Sequence, residues 1–197
     1  LLDRLETAIE REKQFTSDAS HELRTPLTVI KGTLEVLVRK PRTTQEYEEK
    51  INFCVSEVNR LNHLVDQLLL LARYENEKQS LKMESVYLNG VFIDAIARQS
   101  LLIEAKGIQI AHLFEDDFYC NSDHHLFSII INNLISNALK YSKEKGAVEI
   151  QLKKSGNQIE CIISDSGIGI PKADLEKIFH PFFRSNALNH SEIKGIG

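Results

Sequence analysis

No stretch of the sequence is an apolar run of about 18 residues, so nothing in it reads as a membrane-spanning helix. No signal peptide is visible. There is no basic block, and 24 Lys and Arg residues face 28 Asp and Glu for a net charge of −4, which argues against nucleic acid as a partner. Cysteine is scarce. Cys54, Cys120 and Cys161 lie far apart without metal-ligand spacing and read as reduced core or near-core thiols in a cytosolic compartment. The Walker P-loop pattern Gly-x-x-x-x-Gly-Lys-Ser/Thr and the protein-kinase glycine loop are both missing. Internal repeats and low-complexity segments are absent too. What remains is ordinary: 42% hydrophobic and 26% charged residues over 197 positions, enough for one or two domains.

The chain opens at Leu1-Leu2-Asp3-Arg4-Leu5 with a helical pattern and no initiator Met, as expected of a piece of something longer. Leu2, Leu5 and Ile9 repeat at helical spacing and lead into the segment Phe15-Thr16-Ser17-Asp18-Ala19-Ser20-His21-Glu22-Leu23-Arg24-Thr25-Pro26-Leu27. At about 100° per residue, Ala19, Leu23, Leu27, Ile30, Leu34 and Leu37 share one stripe. His21 points away from it, an imidazole held toward solvent with Glu22 beside it and Thr25 one turn on. Pro26 removes one backbone hydrogen bond and favours a bend there. The helix should run to about Val38. Lys40-Pro41-Arg42-Thr43 breaks it, and Thr43 with Glu46 forms a capping box that opens a second helix. There Ile51, Val58, Val65 and Ala72 recur every seven residues, with Cys54, Leu61 and Leu68 three further on, the pattern of a heptad seam. Such a hairpin has little core of its own. Pairing two copies into a four-helix bundle would supply one, and so would packing against the rest of its own chain.

Beyond the polar residues 77–80 the pattern turns to mixed strands and helices. Strands are expected near Leu81 to Tyr87, Ile108 to Phe114, Tyr119-Cys120, Ala147 to Lys153 and Ile159 to Asp165, the last two separated by the turn Ser155-Gly156-Asn157. One helix should run from an N-cap at Asn89 to Lys106, ended by Gly107, and another from Ser122 or Asp123 to about Tyr141. The expected class is therefore an α helical hairpin followed by an α/β sandwich, a mixed sheet with helices on one face.

On the last of these helices Asn133, Asn137, Lys140 and Tyr141 fall within one arc. Phe127, Ile131, Ile135 and Ala138 lie roughly 130° around. The apolar side can pack on the sheet while the polar side faces a cleft. Amide oxygens suit Mg2+, a hard cation, and lysine offers a compact charge to phosphate. Asp165-Ser166-Gly167-Ile168-Gly169-Ile170-Pro171 then ends a strand with glycines that would let a ligand approach the backbone closely. Ile178-Phe179-His180-Pro181-Phe182-Phe183-Arg184 follows, then a polar stretch to Lys194 and a closing Gly195-Ile196-Gly197.

Ser-His-Glu-Leu-Arg-Thr-Pro-Leu resembles the H box of the sensor histidine kinases of two-component systems, and the later segments resemble that family's N box, first glycine box, F box and the opening of its second glycine box. The resemblance covers nearly the whole chain. It implies a helical extension from an upstream HAMP-like linker at 1–14 and a dimerisation and histidine phosphotransfer domain at 15–76. A linker at 77–80 and a catalytic domain of the Bergerat type at 81–197 would follow. That last domain would be C-terminally incomplete, because the family continues past the second glycine box. By resemblance Asn137 would ligate Mg2+ and Asn133, Lys140 and Tyr141 would contact ATP phosphates. Asp165 would accept from the adenine amino group beside Gly167 and Gly169. Residues 185–194 would form a lid, Arg184 would reach the phosphates, and Gly195 and Gly197 would join the ATP site.

The activity so implied is transfer of the ATP γ-phosphate to His21 and then to an aspartate of a response-regulator receiver domain. Imidazole is largely neutral and nucleophilic at pH 7. Glu22 would orient the ring and take up the proton. Thr25 could position water for the reverse, phosphatase reaction. The implied setting is the cytoplasmic portion of an inner- or plasma-membrane homodimeric sensor, with membrane segments upstream. Two other classes stay open at this point: an ATPase of the chaperone, topoisomerase and mismatch-repair group, which would form no phosphoprotein, and a silent dimerisation scaffold, which would show no thermal shift with Mg-ATP analogues.

Overall fold

α1 runs without interruption over Leu2–Leu37, through Pro26 and the β-branched run Thr28-Val29-Ile30, and α2 covers Thr44–Glu75. The computed structural model describes residues 2–75, 81–181, 183 and 185. The side chains of Leu2, Leu5 and Ile9, the linker at 77–80, Arg184, residues 186–194 of the expected lid, Gly195 and Gly197 lie outside that description. Two compact units form. One consists of the described residues of Leu1–Gln79 and Ala173–Gly197, the other of Ser80–Lys172. Among the described residues no helix is long and apolar enough to cross a membrane.

In the first unit the expected cap at the start of α2 is present. The Thr43 backbone N–H donates to Glu46 Oε2 at 2.9 Å while the Glu46 N–H donates to Thr43 Oγ1 at 3.2 Å, so two orphan donors are satisfied reciprocally. The Thr43 N–H and hydroxyl both donate to the Glu46 carboxylate and hold it below its ordinary range. α1 and α2 pack as a hairpin around Ala19, Pro26, Leu37, Cys54 and Leu64. Of the heptad rows, Cys54 is buried and Leu61 and Leu68 are half-buried, whereas Ile51, Val58, Val65 and Ala72 are exposed. Glu57 and Leu64, another pair seven apart, are buried instead, at 4% and 2% exposure.

In the second unit β1 (Met83–Tyr87) leads into α3 (Leu88–Arg98) and α4 (Ser100–Lys106). One helix was expected here. The chain breaks at Gln99, with φ −101° and ψ 9°, and neither glycine nor proline marks the place. The N-cap is Tyr87 rather than Asn89. The Asn89 side chain is buried and clamps a loop, donating to Asp116 O at 2.9 Å and accepting from the Phe118 N–H at 3.0 Å. Gly107 ends α4 at φ +62°, the left-handed conformation glycine adopts without a Cβ clash.

β2 (Gln109–Phe114) and β3 (Tyr119–Asp123) precede α5 (His124–Tyr141), and β4 (Ala147–Ser155) and β5 (Gln158–Asp165) close the unit. β4 is central in a mixed sheet, parallel to β2 and antiparallel to β5, while β1 and β3 form a separate antiparallel pair. Alternation along β4 turns Val148, Ile150 and Leu152 inward, where Val91, Phe92 and Ala95 of α3 and Ile131, Ile135, Ala138 and Leu139 of α5 complete the core. Of the two expected caps for α5, Asp123 acts. It accepts from the Leu126 N–H at 3.1 Å and from the Lys82 N–H at 3.0 Å, which lowers its pKa. The mixed sheet with helices on it agrees with the class read from the sequence.

Candidate functional site

His21 stands on the exposed side of α1, five residues before Pro26. Pro26 is buried and cannot donate to the Glu22 carbonyl. One residue earlier, Thr25 Oγ1 donates to the His21 carbonyl at 3.1 Å. Glu22 turns toward α2. Its carboxylate lies 3.6 Å from Arg60, which is also 3.7 Å from the buried Glu57. Arg60 thus ties the residue beside His21 to the second helix. Sequence reading missed Arg60 and Glu57. A charged residue at the Leu64 heptad position was a signal that could have found Glu57. Arg60 lies three residues after Glu57, a spacing that offers the pair within α2, whereas its partner Glu22 depends on the register of the hairpin.

The second cluster lies in the other unit, where the C-terminal turn of α5 meets the turn after β5. Ser142 pairs with Gly167 as an isolated bridge, and the Ile168 N–H donates to Tyr141 O at 3.3 Å. Asp165 Oδ1 accepts the Gly167 N–H at 2.8 Å, and Ser166 Oγ accepts the Ala147 N–H at 2.7 Å. A Cβ on Gly167 would lie 2.5 Å from Asp165 Oδ1 and 2.6 Å from Tyr141 O, so only glycine fits. Gly169 sits at φ +71° in open space. The expected residues Asn133, Asn137, Lys140, Tyr141, Asp165, Gly167 and Gly169 therefore belong to one unit, with Tyr141 joined directly to the glycine turn.

The amides of α5 are not equivalent. Asn132 donates to Ser128 O at 2.7 Å, so its carboxamide is spent on its own helix. The Asn133 and Asn137 side chains are exposed and make no side-chain hydrogen bond among the described residues. An exposed amide oxygen is a suitable ligand for Mg2+ that is held mainly by nucleotide phosphates.

Lys106 is a further residue that sequence reading left as a mere helix end. Its ammonium donates to the carbonyls of Leu139 at 3.0 Å, Lys140 at 2.6 Å and Ser142 at 2.9 Å. It thereby caps the end of α5 that carries Lys140 and Tyr141.

Two family models match the chain: the His Kinase A (phospho-acceptor) domain over residues 11–77, and the histidine kinase-, DNA gyrase B- and HSP90-like ATPase over residues 122–197. The signal transduction histidine-protein kinase ArlS of Staphylococcus haemolyticus is 34% identical over 185 residues, which is 93% of this chain and 41% of that protein. The chain thus spans about two fifths of that relative's length. Among solved structures, the histidine kinase AdeS of Acinetobacter baumannii superposes with a TM-score of 0.70 at 26% identity, covering 82% of this chain and 79% of that one. The histidine kinase ThkA, in a complex with the response regulator protein TrrA, shares the fold with a TM-score of 0.73 at 22% identity, over 97% of this chain and 59% of that one. With an outward-facing histidine on a helical hairpin, a glycine turn tied to a polar helix end, and both family models matched in that order, the chain belongs to the sensor histidine kinases of two-component systems.

Proposed function

We propose that this chain is the kinase core of its protein: ATP binds beside α5 and the Asp165 turn, and its γ-phosphoryl group passes to His21 and then to a response-regulator aspartate. The observation that supports the reading is the tie between Tyr141 and the Asp165–Gly167 turn, which brings the residues we assign to phosphate and to adenine to one helix end. In chain terms we assign 1–14 to a helical extension, 15–76 to dimerisation and phosphotransfer, 77–80 to a linker and 81–197 to the catalytic domain.

Asp165 accepts from the adenine amino group, with Gly167 and Gly169 letting the base approach. Asn133, Lys140 and Tyr141 contact phosphates, and Arg184, Gly195 and Gly197 are assigned to the same site by their motifs. Mg2+, held by the Asn137 amide oxygen together with the phosphates, would supply charge neutralisation during transfer. A His21 ring nitrogen forms the N–P bond as the bond to the ADP leaving oxygen breaks. Glu22, anchored by Arg60, is the adjacent carboxylate to receive the ring proton. Thr25, one turn from His21, positions water for hydrolysis of the same bond. With γ-labelled ATP we expect an acid-labile label on the parent chain and none on His21→Gln. Label persisting in that variant would move the acceptor elsewhere.

The active unit is a homodimer. Leu27 and Leu34 on α1 and Ile51, Val58, Val65 and Leu69 on α2 form apolar rows that the hairpin leaves exposed. Burying them against a second copy removes that surface from water. Val58→Lys with Val65→Lys should therefore sediment as a monomer where the parent sediments as a dimer. A dimeric double variant would place the interface elsewhere. The setting is the cytoplasmic side of a membrane sensor whose membrane segments lie upstream.

A further inference from the structure

Within the first unit, a cavity of about 360 Å3 opens beside the acceptor histidine. Asp18, His21 and Glu22 line it from α1, and Lys177 and His180 line it from the segment after Asp174, with Phe183 as an apolar wall. The two carboxylates have partners of their own. Gln14 Nε2 donates to both oxygens of Asp18, at 2.8 and 2.9 Å, and Glu22 pairs with Arg60. Lys177 and His180 make no side-chain hydrogen bond or ion pair among the described residues. An ammonium and an imidazole with unused donors, facing a nucleophilic ring across a cavity, are suited to an oxyanion that arrives on that ring.

We infer that Lys177 and His180 hold the phosphoryl group once it is on His21, donating to its oxygens while it awaits the receiver aspartate. The inference rests on His21 being the acceptor. It assigns a role to His180, which the motif resemblance leaves without one. The two residues position the product and take no part in bond making.

The test bypasses ATP. Phosphoramidate transfers its phosphoryl group to a histidine nitrogen and leaves as ammonia, so His21 can be loaded on the full chain. The 31P resonance of the His21 adduct is assigned by its loss in His21→Gln, and its second ionisation is followed by pH titration. Cationic donors favour the dianion, so the parent midpoint should lie roughly one pH unit below that of Lys177→Ala/His180→Ala. Lys177→Arg should retain the lower midpoint, because it keeps the charge. Equal midpoints in parent and double variant would overturn the inference and leave the acceptor role intact. If no resonance were lost in His21→Gln, the acceptor reading would fail first and take the inference with it. Circular dichroism of the double variant confirms that the midpoint is read on a folded chain.

Discussion

Gly167→Ala should weaken ATP binding by about 100-fold, close to 3 kcal/mol at the usual tenfold per 1.4 kcal/mol. The new methyl carbon would sit 2.5 Å from Asp165 Oδ1, 2.6 Å from Tyr141 O and 2.9 Å from Tyr141 C. Two of these three atoms are backbone, and none can move freely. Asp165 Oδ1 holds the Gly167 N–H, and Tyr141 O holds the Ile168 N–H. Relief requires either swinging the Asp165 carboxylate out of its turn or parting the turn from the end of α5. The first removes the group assigned to adenine. The second separates adenine-binding and phosphate-binding residues. Titration with a fluorescent ATP analogue measures the loss, and a melting curve establishes that the lobe remains folded.

Gly169→Ala provides the contrast. Nothing lies within 4 Å of its added carbon, and its φ of +71° imposes only backbone strain, about 1–2 kcal/mol. Its effect on affinity should be the smaller of the two. Parent-like binding by Gly167→Ala would show that the turn and the helix end do not act as one site.

Features legible in the sequence are those that depend on neighbours a few residues away. The Thr43–Glu46 box, the left-handed Gly107 and the outward position of His21 each follow from local stereochemistry, and each is present. Asn89 misleads for a related reason. Asparagine is a good helix cap, but here its amide bonds a loop 27 to 29 residues away, and the helix starts without it. The break at Gln99 has no local marker. A seven-residue period reveals that a helix face is apolar without saying which partner covers it. The row through Ile51 therefore reads as the seam although the hairpin buries Cys54, Glu57 and Leu64. Asp123 rather than Ser122 caps α5, and it is also held by the Lys82 N–H just before β1, a partner far away in sequence. The Glu22–Arg60 pair depends in the same way on the hairpin register, which spacing within one helix does not encode, whereas Glu57 and Arg60 are an i,i+3 pair on α2.

Lys106→Met carries the second large effect, this time on stability. The last carbonyls of a helix lack intrahelical donors and carry the negative end of its dipole. At the end of α5 a single ammonium serves two such groups, Leu139 O and Lys140 O, and the carbonyl of the cap residue Ser142, so its three protons match three acceptors at 2.6–3.0 Å. Methionine keeps the length and apolar stem of lysine but offers no donor, so the carbonyls must be rehydrated in a half-buried place. Losing charge-assisted hydrogen bonds of this kind should cost about 2–3 kcal/mol. For a lobe of this size that lowers the melting temperature by roughly 10–15 °C. Lys106→Arg should recover only part of it, because a planar guanidinium spreads its donors and cannot converge on three carbonyls from one nitrogen. The cap also bears on function. Lys106 O accepts the Lys145 N–H at 2.8 Å, so the residue binds the end of α4 to the loop after α5 as well. Methionine keeps that backbone bond, so the substitution releases the side-chain cap alone; losing the cap frees the turn that presents Lys140 and Tyr141, and nucleotide affinity should fall along with stability. Calorimetry of Lys106→Met with and without Mg-ATP separates the two effects. A melting temperature within about 2 °C of the parent would mean that solvent already satisfies those carbonyls and that the lysine is incidental to the site.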